Sequence, residues 1–458
     1  MDAQPLRQQV ALVAAALLLA CGGSAPGPTR EVKAPLHAEP ARGASSLRFI
    51  EDDYPRALAE AKQRKRPLFV DAWASWCHSC QSLRAYVLTD PTLAPLADAF
   101  VWLSIDTERE ANAEWVARHP HAALPTLWVI DPVTDRPILK WAGTATAGEL
   151  RELLEVAVVD ARRGAESAAT AVTAAFVRGN HALAAGDAET AEKEHRAALA
   201  AAPKDHPHRA RIVEALVTQL ALRKEAARCA EVAAAEASGM APGTSRASVL
   251  VAGLGCARDA ERSADVDRLL DLALHDAALR DDRLLPDDRS ALYEEAFTTK
   301  SERGDRAGAR ELAREWSAFL EGEAARAKTD EARSSLDPLR LGAFLALGEP
   351  ARAIPMLERS ERDFPEDHNP PARLGRVYLE MKRLDDADRA ADRALARVYG
   401  PRVMRVFALK ADIAKARGDR AGEARALEQA LARSERAVLT EGQKAVREGL
   451  AKRLAALR

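Results

Sequence analysis

The sequence predicts two architectures in one chain: an α/β unit whose central sheet is covered by helices on each side, then an all-helical array. Three observations predict it. Between residues 47 and 158, short apolar runs alternate with amphipathic segments, and the central runs are apolar on both faces. From about Ala165 onward the strand-like runs cease, and small residues recur at helical spacing. Aromatics are only 5% of the chain and alanine is abundant, which favours helices that approach closely through small side chains. The length agrees, because 458 residues exceed the ~100–200 of one ordinary domain.

The N-terminus reads as a targeting segment. Arg7 precedes an apolar run from Val10 to Ala20, too short to span a bilayer as a stable helix. The run ends in Leu18-Leu19-Ala20-Cys21-Gly22-Gly23, which resembles a bacterial lipoprotein signal peptide over residues 1–20, cleaved before Cys21. The resemblance implies that Cys21 becomes the acylated first residue, and two or more acyl chains anchor stably where one does not. Gly22 in place of Asp after the cysteine, by resemblance to lipoprotein sorting in many Gram-negative bacteria, permits transfer to the outer membrane. A plain secretory signal with a chance cysteine is the alternative. Residues 21–45 are rich in Ala, Pro, Gly and Ser and read as a lipidated flexible linker.

Residues 46–160 form the expected α/β domain. Tyr54–Arg64 is an amphipathic helix. Pro67–Trp73 is a strand, apolar on both faces except for Asp71. Cys80–Val87 is helical, Phe100–Ile105 a second strand, and Ala111–Arg118 helical again. Pro125–Ile130 is a third strand, Asp131–Arg136 a turn and Ile138–Trp141 a fourth strand. A closing helix spans Thr146–Val158, with Glu149 and Glu152 in its early turns.

Residues 165–458 form the expected helical repeat domain. Gly186, Ala191, Ala198 and Pro203 sit at the spacing of a tetratricopeptide repeat of about 34 residues. Phe344, Gly348, Ala353, Leu357 and Pro365 define another unit. Gly375, Tyr378, Ala387 and Ala394 define the next, followed by Phe407, Ala411, Gly418, Leu427 and Ala430. Weaker units lie around 208–241, 243–277 and 290–323. Small residues let paired helices approach, and larger apolar ones fill the space between hairpins. A generic helical bundle is the alternative.

The five cysteines are Cys21, Cys77 with Cys80, and Cys229 with Cys256. Cys77-His78-Ser79-Cys80 opens a helix directly after a buried strand. A thiol at a helix N-terminus is acidic, and a second thiol one turn on is within bridging reach, so this pair supports thiol–disulfide exchange. Half of a zinc site is the competing reading. It needs two further ligands, and Cys229 and Cys256 lie far away in the helical region. Those two are equidistant from the turn at Gly239–Thr244, between expected helices at Lys224–Ser238 and Ser245–Ala257. They are candidates for a structural disulfide, with two free core cysteines as the alternative.

Val70-Asp71-Ala72-Trp73-Ala74-Ser75-Trp76-Cys77 resembles the thioredoxin superfamily signature, and Leu124-Pro125-Thr126 resembles its cis-proline segment. Asp106 and Gly143 also fall in familiar places. Thr89-Asp90-Pro91 and Leu124-Pro125-Thr126 look most like the C-terminal domain of the periplasmic thiol:disulfide interchange reductase family. The resemblance covers residues 47–158 and implies a thioredoxin fold in which Cys77 attacks and Cys80 resolves the mixed disulfide. It implies that Asp71 is a buried carboxylate relaying a proton to or from the inner thiol, and that Pro125, if cis, leaves adjacent backbone free to pair with a substrate peptide. Trp73 and Trp76 are expected to pack around the active site, with Trp76 covering Cys77 in part; a plain core residue is the alternative, and it fits Trp73 better than Trp76. His78 either tunes the thiols when protonated or is a solvated loop residue. The chain departs from thioredoxin at Gln81, where many thioredoxins carry lysine, and at Trp102, where thioredoxin itself has a second one.

Net charge is −2, from 67 basic and 69 acidic residues, so no basic field exists for nucleic acid. The expectation is a lipid-anchored, periplasm-facing thiol:disulfide oxidoreductase of the bacterial cell envelope, acting without cofactor or metal. Its partners would be protein thiols and disulfides, an upstream electron-donor protein, and a protein or peptide ligand of the repeats. The alternative is a non-enzymatic interaction scaffold or redox sensor.

Overall fold

A computed structural model describes residues 47–163, 170–279 and 283–458. Five strands form one mixed sheet: β1 (Phe49–Glu51), β2 (Leu68–Trp73), β3 (Val101–Asp106), β4 (Thr126–Asp131) and β5 (Arg136–Ala142), in the spatial order β1-β3-β2-β4-β5. β1, β3 and β2 run parallel, while β4 is antiparallel to β2 and β5 to β4. The run Leu68-Phe-Val-Asp-Ala becomes the central strand because both its faces must be covered, and all five residues are buried. β1 was not among the expected strands, since three residues carry no readable alternation. It pairs with β3, and Asp52 closes the pairing: its N–H donates to Ser104 O (2.9 Å) and its Oδ1 accepts from the Asp106 N–H (2.8 Å).

Local chemistry sets the helices around the sheet. Helix α1 (Tyr54–Arg64) starts where Asp53 accepts the Arg56 N–H at 3.0 Å, and it buries Tyr54, Ala57 and Ala61 along one stripe. α2 (His78–Ser82) runs straight into a single π turn at Leu83–Val87. α3 spans Ala113–Arg118 and α4 spans Ala147–Arg163. α4 opens with a reciprocal cap: Glu149 Oε2 accepts the Thr146 N–H at 2.8 Å, and Thr146 Oγ1 accepts the Glu149 N–H at 3.3 Å.

The rest is helical. α5 (Ala171–Ala184), α6 (Ala188–Ala201), α7 (Arg209–Leu222), α8 (Ala226–Glu236), α9 (Thr244–Asp259) and α10 (Ser263–Ala278) come first. They are followed by α11 (Pro286–Glu302), α12 (Arg306–Arg326), α13 (Asp330–Ser335) and α14 (Asp337–Leu347). The last six are α15 (Ala353–Asp363), α16 (Asn369–Glu380), α17 (Leu384–Leu395), α18 (Val403–Ala416), α19 (Arg420–Arg433) and α20 (Glu441–Leu457). One turn recurs between helices: a left-handed glycine, then an aspartate cap. Gly186, Gly304 and Gly418 have φ of +83°, +79° and +75°. The following Asp187, Asp305 and Asp419 accept the N–H groups of Thr190, Gly308 and Gly422 at 3.0, 2.9 and 2.7 Å.

The chain divides into two compact units. One contains Leu47–Thr107 with the described residues of His121–Glu349; the other contains Glu108–Pro120 and Pro350–Arg458. In the first, the core under the sheet continues into the helical region: Phe69, Leu127 and Val129 cluster with Leu150, Leu154, Phe176 and Ile212. In the second, the Glu108 carboxylate accepts the Arg402 N–H (2.7 Å) and the Gln443 Nε2 (2.9 Å), while Phe407, Leu427 and Leu450 pack in the core. The expected signal peptide, Cys21 and linker lie outside the described residues. Among the described residues, no helix is long and apolar enough to cross a membrane.

Cys229 on α8 and Cys256 on α9 are joined by an S–S bond of 2.04 Å, with Cα atoms 5.9 Å apart. The two helices approach closely because Gly253 faces Ala233. A Cβ on Gly253 would lie 2.5 Å from the Ala233 Cβ. That pair sits in the same antiparallel register about the turn as the two cysteines. Two outcomes are expected from denaturation of the unreduced protein. Replacing both Cys229 and Cys256 by Ser lowers stability by about 3.5 kcal/mol, the chain-entropy value for closing a loop of 27 residues. Gly253→Ala costs about 1–3 kcal/mol by overpacking, and adding Ala233→Gly recovers most of the loss.

Candidate functional site

β2 delivers the site. The chain leaves the sheet at Trp73 and turns sharply, with the Cys77 N–H donating to Ala74 O at 3.0 Å. This turn makes Cys77 the N-cap of α2, where its Sγ accepts the Cys80 N–H at 3.1 Å. The two sulfurs are bonded at 2.07 Å, so the protein is described in its oxidised state. Cys77 is 4% exposed and Cys80 fully buried. Ser79 Oγ lies 3.5 Å from Cys77 Sγ. Trp73, Trp76 and Leu124 pack around Ala74 and the two cysteines. Trp73 is therefore part of the site wall, with Trp76, and is only partly buried because it ends β2; the plain-core alternative does not describe it.

The Leu124–Pro125 peptide is cis. Pro125 O accepts the Gly143 N–H at 2.9 Å, which ties the end of β5 to the proline segment. The positions lacking lysine are both neutral and engaged. Gln81 Nε2 donates to Ser75 O at 2.5 Å. Trp102 packs on Phe69 at 4.8 Å between ring centres and donates from Nε1 to Ala97 O at 3.0 Å.

Asp71 is fully buried on β2, opposite Ser104 of β3 and Leu127 of β4. Neither carboxylate oxygen has a hydrogen-bond partner. Burial pushes its carboxyl up to about 6; the Arg84 guanidinium pulls it down, and Glu51 adds a smaller push upward. Arg84 Nη1 is 3.7 Å from Asp71 Oδ2, too long to replace lost hydration. The same guanidinium donates to Ser104 Oγ at 2.6 Å and lies 4.2 Å over the Trp73 ring. Arg84 went unnoticed in the sequence, although a lone cation within the apolar stretch Leu83–Val87 is a readable signal.

His78 is half-exposed and paired. Its Nδ1 lies 2.6 Å from Oδ2 of Asp287, at the start of α11. The neighbouring Asp288 caps that helix, accepting the Leu285 N–H at 3.2 Å. It also accepts from Thr244 Oγ1 at 2.6 Å and Thr144 Oγ1 at 3.4 Å, and burial pushes its carboxyl up to about 7. Nothing local in the sequence flagged Asp287 or Asp288, which read as ordinary first-turn acids. Cys229 and Cys256 belong to α8 and α9 and do not join this cluster. Among the described residues, no group of three or more His, Cys, Asp or Glu could hold a metal ion.

The sign of the Asp71 effect on stability is fixed by its raised carboxyl. Between about pH 4 and pH 6 the folded protein holds a proton that the unfolded chain has released, so stability falls as pH rises through that window. Asp71→Asn removes the ionisation. The variant is expected to be more stable than the wild type at pH 7 by about 2–3 kcal/mol and to lose that advantage near pH 4. Urea denaturation at the two pH values checks it; a gain that is independent of pH contradicts it.

A family model described as thioredoxin-like matches residues 49–132, and one for the tetratricopeptide repeat matches residues 344–413. The thiol:disulfide interchange protein DsbD of Vibrio vulnificus is 32% identical over 89 residues, which are 18% of this chain and 15% of that protein. DsbD 1 of Pseudomonas aeruginosa is 44% identical over 58 residues, 13% of this chain and 10% of that protein. The similarity is thus confined to a small part of the relatives' length. A tetratricopeptide repeat protein from Parabacteroides merdae aligns with a TM-score of 0.40 at 12% identity, over 61% of this chain and 99% of that one. Residues 49–132 are a thioredoxin-like domain with a Cys-x-x-Cys pair, followed by a long helical region that carries tetratricopeptide repeats.

Proposed function

We propose that this protein is a thiol:disulfide oxidoreductase of the bacterial cell envelope that reduces protein disulfides through Cys77 and Cys80. The observation that carries the proposal is the cap geometry: the Cys77 sulfur accepts a backbone N–H at the start of α2, an arrangement that favours thiolate over thiol once the pair is reduced. The Cys77 thiolate attacks a substrate disulfide, forming a mixed disulfide and releasing one substrate sulfur as a thiolate, which takes up a proton. Cys80 then loses its proton and attacks Cys77 Sγ, breaking the mixed disulfide and releasing the second substrate thiol. The enzyme is left as the Cys77–Cys80 disulfide, two electrons poorer. A donor protein of the envelope restores the dithiol.

Asp71 is the proposed proton relay. Its elevated carboxyl can take a proton from the inner thiol and return it near neutral pH. The backbone beside Pro125 is the proposed seat of the substrate peptide, with Trp76 on the wall of the same site. The helical repeats would recruit the partner. Acylated Cys21, with residues 22–45 as a tether, would hold the protein on the periplasmic face of the outer membrane. The interchange activity named for the DsbD relatives supports the reaction class. A redox sensor is the second reading, supported by the contact between His78 of the redox motif and Asp287 of the helical region.

Turnover separates the readings. The wild type, supplied with a dithiol donor, is expected to reduce a protein disulfide catalytically. Cys77→Ser falls to background, and Cys80→Ser accumulates a mixed disulfide through Cys77, visible on non-reducing gels. A wild type that cycles only once per reduction supports the sensor.

A further inference from the structure

We propose that Asp287 is a positioning residue for the redox centre: by holding the His78 ring through Nδ1, it sets the oxidising strength of the Cys77–Cys80 pair. The inference rests on the oxidoreductase reading and adds to it a control element from outside the thioredoxin-like domain.

The contact is specific. His78 follows Cys77 directly and is the first residue of α2, while Asp287 lies in the first turn of α11, 209 residues away in sequence. The Nδ1 to Oδ2 separation is 2.6 Å, a short and direct hydrogen-bond contact. The imidazole side chain is 43% exposed and the carboxylate only 5%, so the anion is the fixed partner and the ring is what gets oriented. Asp287 is itself held. Its neighbour Asp288 is locked by Thr244, Thr144 and the Leu285 N–H, and Thr144 directly follows Gly143, which is bonded to Pro125. One helix start therefore braces both the Cys-x-x-Cys turn and the proline segment.

The electrostatic consequence has a definite sign. A carboxylate beside Nδ1 favours the imidazolium form of His78. That cation is on the residue that directly follows Cys77, and Asp287 is bonded to it. A cation held on this residue stabilises the Cys77 thiolate formed when the disulfide gains two electrons. Stabilising the reduced form makes the pair a stronger oxidant. Other charged groups around α2 are Glu294 on α11, which interacts with His78, and Arg84 on the continuation of α2, engaged with Asp71 and Ser104. α13 also packs on α2; it carries Asp330 and Glu331, and Arg333, which bonds to Asp330.

The test is the thiol–disulfide equilibrium of the full chain with glutathione buffers, read by alkylation of Cys77 and Cys80. Asp287→Asn is expected to shift the equilibrium threefold to tenfold toward the disulfide, a potential about 15–30 mV more reducing for a two-electron couple. His78→Gln should shift it the same way, and the double variant no further than His78→Gln alone. The pH at which Cys77 becomes reactive to iodoacetamide should rise in both single variants. An unchanged equilibrium in Asp287→Asn, or an equal shift from it in the His78→Gln background, overturns the proposal. Should Asp287→Asn not fold, nitrogen NMR of wild-type His78 decides: Nδ1 carrying the proton supports the contact, and Nδ1 without it overturns the proposal. These readouts do not depend on turnover. A normal Asp287 effect with no catalysis would therefore sink the enzyme reading alone, and catalysis with no Asp287 effect would sink this inference alone.

Discussion

Strand β2 is buried from Leu68 to Ala72, paired with parallel β3 on one side and antiparallel β4 on the other. Helices cover both faces of the sheet, so the first place the chain can reach a surface is Trp73. Everything chemical follows from that exit. The turn after Trp73 puts Cys77 at the cap of α2, and α2 immediately turns back so that Cys80 is sealed while Cys77 keeps a small exposed area. The same burial that stabilises the strand strips water from Asp71. A residue that would be a defect in an ordinary core is thereby left with a carboxyl raised to about 6, only partly offset by the Arg84 guanidinium at 3.7 Å.

The helical region meets a different constraint. Its helices are rich in alanine, so each interface buries little area per residue and depends on close approach. Ala191, Ala230, Ala233, Ala257, Ala273, Ala387, Ala391 and Ala411 are all buried. Close approach in turn requires that nothing protrude, which is why Gly253 meets Ala233 and why Gly375 lies against Leu409 of the next hairpin. The Gly-Asp turns serve the same end by reversing the chain in few residues while satisfying the first N–H groups of the next helix.

Polar contacts are concentrated where the thioredoxin-like domain meets the start of α11. Asp287 and Asp288 sit side by side in buried surroundings, yet they engage different partners: His78 for one, and Thr144, Thr244 and a backbone N–H for the other. In a poorly solvated site such bonds are strong and their loss is costly, so the network holds the redox turn in one geometry. The precision of the thiol site therefore comes partly from residues outside the domain that bears the thiols.

Much of the thioredoxin-like domain was legible from local pattern. The helix at Tyr54–Arg64 shows its apolar stripe in sequence, and the central strands show as runs apolar on both faces. The Cys-x-x-Cys motif and Asp71 stand out because their chemistry contradicts the apolar stretch that carries them. The helical region declared itself through small residues recurring at repeat spacing, since close packing is a local demand on residue type. β1 was not legible: three residues have no period, and only pairing with β3 makes them a strand. Arg84 could be assigned to the site wall only once β2 had an end and α2 a direction, because its guanidinium reaches Asp71 and the Trp73 ring through the fold. Asp287 was beyond sequence reasoning, because a first-turn acid looks the same whether it caps a helix or reaches a histidine 209 positions away. Sequence alone determined which groups this protein has for thiol chemistry; tertiary packing decided which of them are desolvated and which charges meet, because both depend on neighbours that no local pattern records.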